Sequence, residues 1–302
     1  MNNKLTKTWG LKQKEEFAGY MFILPFVIGF AIFTVAPFAV SVVMAFTDIG
    51  FVSRLDEANF VGLDNFINSL KDTSVLKSIG RSFYYSALLV PAMTIISLLA
   101  ALFINSRIYA RNVIRTALFI PYVATFAATS IVWRMLFDIQ DGPINKLLMS
   151  LGVSNPPWWL LGVNTVIPTI VIIVVWQGMG FNMIVYLSAL QGVSEDLYEA
   201  AEIDGAGKLK KFLSITLPLI SPTTLFVVIT TIISSFQNFG IIEQLTRGGP
   251  GEASYTLSVN IYREAFSNYR IGYATAQAFI MFAIIFVFSL ISLKGEDKFV
   301  NY

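Results

Sequence analysis

The 302-residue sequence contains no cysteine and no histidine. That excludes thiolate nucleophiles, Ser-His triads, zinc sites built on His or Cys, and haem or iron–sulfur ligation through those residues. No Gly-x-x-x-x-Gly-Lys-Ser/Thr stretch occurs either, so the chain lacks the usual phosphate cradle for binding and hydrolysing ATP. Charge is scarce as well. Asp, Glu, Lys and Arg make up 13% of residues, against roughly a quarter in a soluble domain. With 55% hydrophobic residues and a mean hydropathy of +0.67, there are too few charges to cover a soluble globule of this length, and the sequence reads as an integral membrane protein.

The few charges fall in clusters, and the gaps between them are long enough for membrane helices, which need about 20 mainly apolar residues. Six gaps qualify, placing helices near 18–46, 82–106, 114–134, 165–190, 216–240 and 272–293, with tails at 1–17 and 294–302. The expected fold is all-α, because the apolar runs are continuous and lack the alternation of barrel strands. The fourth gap opens with Asn155, Pro156, Pro157, Trp158 and Trp159, which suits a turn at the lipid interface with an aromatic anchor.

Orientation follows from the basic residues. With a cytoplasmic N-terminus, the inside segments hold Lys4, Lys7, Lys12, Lys14, Arg107, Arg111, Arg115, Lys208, Lys210, Lys211, Lys294 and Lys298, twelve of the 21 Lys and Arg. The turn from Asn105 to Arg115 carries three arginines and no acid, so both termini are expected inside. Lysines followed by an apolar run also fit a signal peptide, with Val43, Met44 and Ala45 as a weak cleavage site. That apolar run is far longer than the usual 7–15 residues.

Ionisable residues inside spans mark proton relays and voltage sensors, and their scarcity here disfavours both. The spans instead carry Trp176, Gln177, Asn182 and Tyr186 in the fourth, Ser234, Ser235, Gln237 and Asn238 in the fifth, and Gln277 in the sixth. Amides offer donors and acceptors together, and rings cover apolar sugar faces, so this set suits an uncharged, hydroxyl-rich solute. The competing reading is that the same groups hold helices together, at about 0.6 kcal/mol each.

Between the fourth and fifth spans lies a charged segment, 195–215. Glu195, Asp196, Glu199 and Glu202 precede a glycine pair, Gly205 and Gly207, and Lys208, Lys210 and Lys211 follow it. The pattern predicts two short helices joined at the glycines, with Ser194 capping the first. Such a hairpin is either a solvated loop or a docking element.

Glu199, Ala200, Ala201, then Gly205, Ile215, Leu217 and Pro218 match, at every spacing, the motif Glu-Ala-Ala, three residues, Gly, nine residues, Ile, one residue, Leu-Pro. On these residues the chain resembles the permease subunits of ABC importers. Two further stretches resemble the maltose and glycerol-phosphate branch of carbohydrate importers. One is Asn59-Phe60-Val61-Gly62-Leu63-Asp64-Asn65-Phe66. The other is Leu245 to Pro250 followed by Thr256, Leu257, Tyr262, Ala265, Phe266, Gly272, Tyr273 and Ala274. Arg247 stands where many members of that branch carry a small residue.

The resemblance implies six spans and a coupling helix that docks on an ATPase subunit. It implies a second homologous permease, two ATP-binding subunits that hold ATP and Mg, and an external solute-binding protein. The solute would be a sugar or oligosaccharide crossing the cytoplasmic membrane of a prokaryote by alternating access. The chain itself would hold no cofactor, be no enzyme, contact lipid and bind no nucleic acid. An ABC permease for another solute, such as a glycerol phosphodiester, and a channel or scaffold without an ATPase are the alternatives.

Overall fold

The computed structural model describes residues 11–53, 58–106 and 109–294. The tails outside 11–294 and the residues Lys4, Lys7, Arg107 and Lys298, which entered the orientation argument, lie outside the described residues. Among the described residues the fold is all-α, with a single isolated bridge, Thr47 to Phe60, and no longer strand pairing.

The chain begins with a rod made of α1 (Leu11–Phe30), a π-helical turn (Ala31–Val35) and α2 (Ala36–Ala45). Its apolar side chains point outward along nearly the whole length, and Ala45, at its end, is buried. A short α3 (Asp64–Lys71) leads to α4 (Thr73–Asn105), which starts nine residues before the expected span because Asp72 caps it, accepting a hydrogen bond from the Ser74 N–H at 2.8 Å. At 33 residues, α4 is about 50 Å long and projects past a hydrocarbon layer of about 30 Å.

The helix expected over 114–134 is broken. Its two parts, α5 (Arg111–Val123) and α6 (Phe126–Leu136), meet at 103°. Pro121 lacks an N–H and crowds the preceding turn, and Thr125 starts the new direction by capping Ala128 N. A short α7 (Pro143–Ser150) and the Trp158–Trp159 loop then lead to α8 (Val166–Gln191). Trp158 is exposed, whereas Trp159 donates from its indole nitrogen to Asn145 Oδ1 at 2.7 Å.

Next comes a hairpin of α9 (Glu195–Ile203) and α10 (Lys208–Lys211), which runs through a π-helical turn (Phe212–Thr216) into α11 (Leu217–Leu219). The chain bends by 65° before α12 (Ser221–Gln237), so the expected 216–240 helix is shorter at both ends. α13 (Gly240–Thr246), α14 (Leu257–Phe266) and α15 (Ile271–Lys294) complete the order. By length and composition four helices can cross a membrane, or six if each bent pair counts as one span.

The core is centred on α4 and α8, where Tyr85, Leu89 and Met93 meet Ile170, Ile173 and Val175. α5 presses on α8 so closely that a Cβ on Gly180 would lie 2.2 Å from the Leu118 carbonyl oxygen. Asn260 donates to Gln277 Oε1 at 2.8 Å, so the buried amide on α15 ties that helix to α14.

Candidate functional site

Two helix breaks lie side by side. The Ala124–Thr125 break and the Asn238–Phe239 break both border a cavity of about 540 Å³ that faces the middle of α8. Gly240 and Phe126, the first residues after each break, are packed so that a Cβ on Gly240 would touch the Phe126 ring at 3.4 Å. Irregular backbone inside a membrane-spanning segment is tolerated where it lines a cavity or is buried in protein.

Side chains take up part of what the breaks leave unpaired. Gln177, 6% exposed, donates from Nε2 to the Ala124 carbonyl at 3.0 Å, replacing the N–H that the helix no longer supplies. Asn238 donates from Nδ2 to the Tyr85 hydroxyl at 2.8 Å. On α12, Thr230, Ser234 and Gln237 follow an i, i+4, i+7 spacing and form a polar stripe toward the cavity. Tyr122 and Phe181 stack with centroids 5.0 Å apart and add an aromatic wall. No Asp, Glu, Lys or Arg is among the lining residues.

The structure thus brings together Gln177, Asn182, Gln237 and Asn238 at the cavity. It does not bring Trp176, Tyr186 or Ser235 to it. Trp176 packs edge-on against Trp133 at 5.3 Å. Tyr186 is fully buried among Ile104, Met183 and Leu187. Ser235 lies 2.9 Å from Ser86 Oγ, joining α12 to α4. All three fell in the expected set because composition records polarity and not helix face. Tyr122, Phe126 and Thr230 were missed; the stripe spacing on α12 is the signal that marks Thr230, whereas only the break explains the other two.

Gln177→Met is expected to leave the Ala124 carbonyl without its partner and to cost about 1 kcal/mol. A thermal unfolding midpoint in detergent, lowered by a few degrees, would register that loss. An unchanged midpoint would mean that water replaces the amide completely.

The second group of expected residues forms the α9–α10 hairpin. Ser194 Oγ accepts from Asp196 N at 3.3 Å, and Gly205 sits at φ +76°, turning the chain between the helices. The hairpin is braced on its base: Lys211 Nζ pairs with Glu202 Oε2 at 3.0 Å, and the Tyr198 hydroxyl lies 2.9 Å from Thr216 Oγ1. Glu199 and Ala200 are exposed. So are Ile203 (88%), Leu209 (72%) and Leu197 (46%), apolar side chains set among the charges of this projection. Ile215, Leu217 and Pro218 belong to the bent base that carries the hairpin into α12.

Residues 73–294 match the family described as the binding-protein-dependent transport system inner membrane component. The arabinooligosaccharides transport system permease protein AraP of Bacillus subtilis (strain 168) is 34% identical over 291 residues, covering 94% of this chain and 90% of that protein. The sn-glycerol-3-phosphate transport system permease protein UgpA of Yersinia pestis is 33% identical over 248 residues, covering 81% of this chain and 83% of that protein. A chain in the crystal structure of a bacterial ABC transporter involved in the import of the acidic polysaccharide alginate has the same fold, with a TM-score of 0.83 at 23% identity, over 95% of this chain and 98% of that one. Broken helices around an uncharged cavity, a braced hairpin and a family match across residues 73–294 agree: this multi-pass membrane protein belongs to the family of inner-membrane permease components of binding-protein-dependent ABC importers.

Proposed function

We propose that this chain is one of two homologous permease subunits of an ATP-driven importer and that it passes an uncharged sugar or oligosaccharide by alternating access. The observation that carries the substrate reading is the cavity lined by amides, hydroxyls and two stacked rings, with no charged residue. Hydroxyls exchange donor and acceptor roles with Gln177, Asn182, Ser234 and Gln237, while Tyr122 and Phe181 cover a pyranose face. A phosphate-bearing solute would enter this cavity without a cation to pair its charge, which is costly away from bulk water. In the same reading both termini and the α9–α10 hairpin are cytoplasmic. The exposed Ile203 and Leu209, flanked by Glu199 and Ala200, dock in a cleft of a partner ATPase, and that partner binds ATP and Mg. An external solute-binding protein delivers the sugar to the opposite face.

The experiment is purification of the chain from native membranes in mild detergent, with co-purifying subunits identified and ATPase activity assayed with and without sugar. Recovery of an ATPase, a second permease and a sugar-stimulated rate is the expected result. A stable lone chain with no nucleotide-binding partner would overturn the reading.

A further inference from the structure

α6 and α13 begin together at the membrane cavity, and they also end together, at a second cavity of about 500 Å³. Phe126 and Gly240 line the first; Arg134 and Phe137, and Gln244 and Arg247, line the second. At 1.5 Å per residue the second cavity is roughly 6–17 Å further along the two helices. An oligosaccharide bridges that separation and a monosaccharide does not.

The chemistry of the second cavity differs from that of the first. Arg134 and Arg247 have exposed side chains, and neither guanidinium has an ion-pair partner among the described residues. Asp138 shares the cavity, with Oδ1 accepting from the N–H groups of Gln140 and Asp141 at 3.0 and 2.8 Å. The Phe137 ring forms an apolar floor, held by Trp133 and Trp159 with centroids at 5.0 and 4.7 Å.

The wall that carries Arg247 is fixed. Arg247 adopts a left-handed φ of +50°, unusual for a residue with a side chain, and the Arg263 guanidinium donates to its carbonyl. Thr246 Oγ1 lies 2.7 Å from Ser254 Oγ, which donates to the Gly249 carbonyl at 2.6 Å. A strained residue held by several partners is a preorganised one.

We propose that this second cavity is an outer saccharide subsite, which holds one end of a neutral oligosaccharide whose leading unit occupies the cavity at the helix breaks. The proposal rests on the sugar-importer reading and adds chain length to it. Arg134, Arg247 and Gln244 donate to ring hydroxyls, Asp138 accepts from one, and Phe137 meets an apolar sugar face. The ligand is neutral because its leading unit sits in the first cavity, which no charged residue lines, while Asp138 offsets one of the two guanidiniums in the second.

The test is uptake by the intact importer in its native cells, with arabinose, arabinobiose and arabinotriose, and with glucose, maltose and maltotriose, as labelled probes. Arg134→Gln combined with Arg247→Asn, which suits the left-handed backbone, is expected to lower trisaccharide uptake about ten-fold and monosaccharide uptake less than about two-fold. Gln244→Ala, on the exposed side of α13, is expected to act in the same direction by about three-fold. Immunoblots of the membrane fraction report whether each variant inserts. Equal losses at every length would overturn the proposal and point to a general contact with the binding protein. Unchanged uptake, or a wild type that prefers monosaccharide, would also overturn it. A wild type that takes up none of these sugars, while still co-purifying an ATPase, would overturn the sugar reading itself and this subsite with it.

Discussion

Gly180→Leu is expected to abolish accumulation of folded protein in the membrane. The added Cβ alone would sit 2.2 Å from the Leu118 carbonyl oxygen and 2.8 Å from Phe119 Cα, both backbone atoms of α5. No rotamer change relieves a clash with backbone, so α5 itself would have to move. Overpacking a well-filled core costs about 1–3 kcal/mol when side chains can adjust, and displacing a helix exceeds that. The displacement would also pull Ala124, at the end of α5, away from Gln177, less than one helical turn from Gly180.

Gly178→Ala makes the comparison. Its Cβ would meet the terminal Cε of Met93 at 2.8 Å, the far end of a flexible side chain that can swing aside. Yields of monodisperse protein and unfolding midpoints should therefore fall steeply for Gly180→Ala and Gly180→Leu and little for Gly178→Ala. Equal behaviour of the two alanine variants would show that α5 and α8 are not as close as described.

Gly205→Pro and Glu199→Lys are expected to leave insertion intact and to cut uptake by at least about ten-fold. Their sites are exposed, so the membrane core does not sense them. Gly205 holds φ +76° and donates its N–H to the Glu202 carbonyl at 3.0 Å. Proline is fixed near −65° and has no N–H, so it cannot close this turn. A Cβ at Gly205 meets nothing within 4 Å, so Gly205→Ala costs only the left-handed strain of about 1–2 kcal/mol. That variant separates turn geometry from bulk.

Glu199→Lys reverses a charge on the proposed docking face without altering the braces at Lys211 and Tyr198. The measurement is sugar-stimulated ATPase activity alongside uptake in the reconstituted importer. Loss of coupling between the two supports docking, whereas normal uptake in both variants would remove the hairpin from the mechanism.

Much of this was legible in the sequence, because long apolar runs and helix caps are local signals. The hairpin was legible for the same reason: Ser194, Gly205 and the change of charge from Glu202 to Lys208 are all short-range marks. The breaks were not. Pro121 stands just before the first break and no proline stands near the second, and a proline inside an apolar run is equally compatible with a continuous membrane helix, as Pro91 within α4 shows. Whether Gln177 or Tyr186 faces the cavity depends on which neighbour lies across α8, and that neighbour is set by contacts distant in sequence. The second cavity was invisible for a related reason, since Arg134 and Arg247 meet only through the pairing of α6 with α13.

If the cavity is the solute pathway proposed above, the two interrupted helices also decide its state between solute molecules. Backbone turned out of helical register, together with Asn182, Ser234 and Gln237, keeps hydrogen-bonding groups on display that lipid cannot satisfy. On the proposed function, the space of about 540 Å³ is expected to hold water when no solute is present, and an entering sugar would exchange bonds with that water instead of filling a dry void. Such an exchange is close to balanced in enthalpy, so it holds the solute only loosely. Weak retention is the property a conduit needs, because a molecule bound tightly at the midpoint would not leave on the other side.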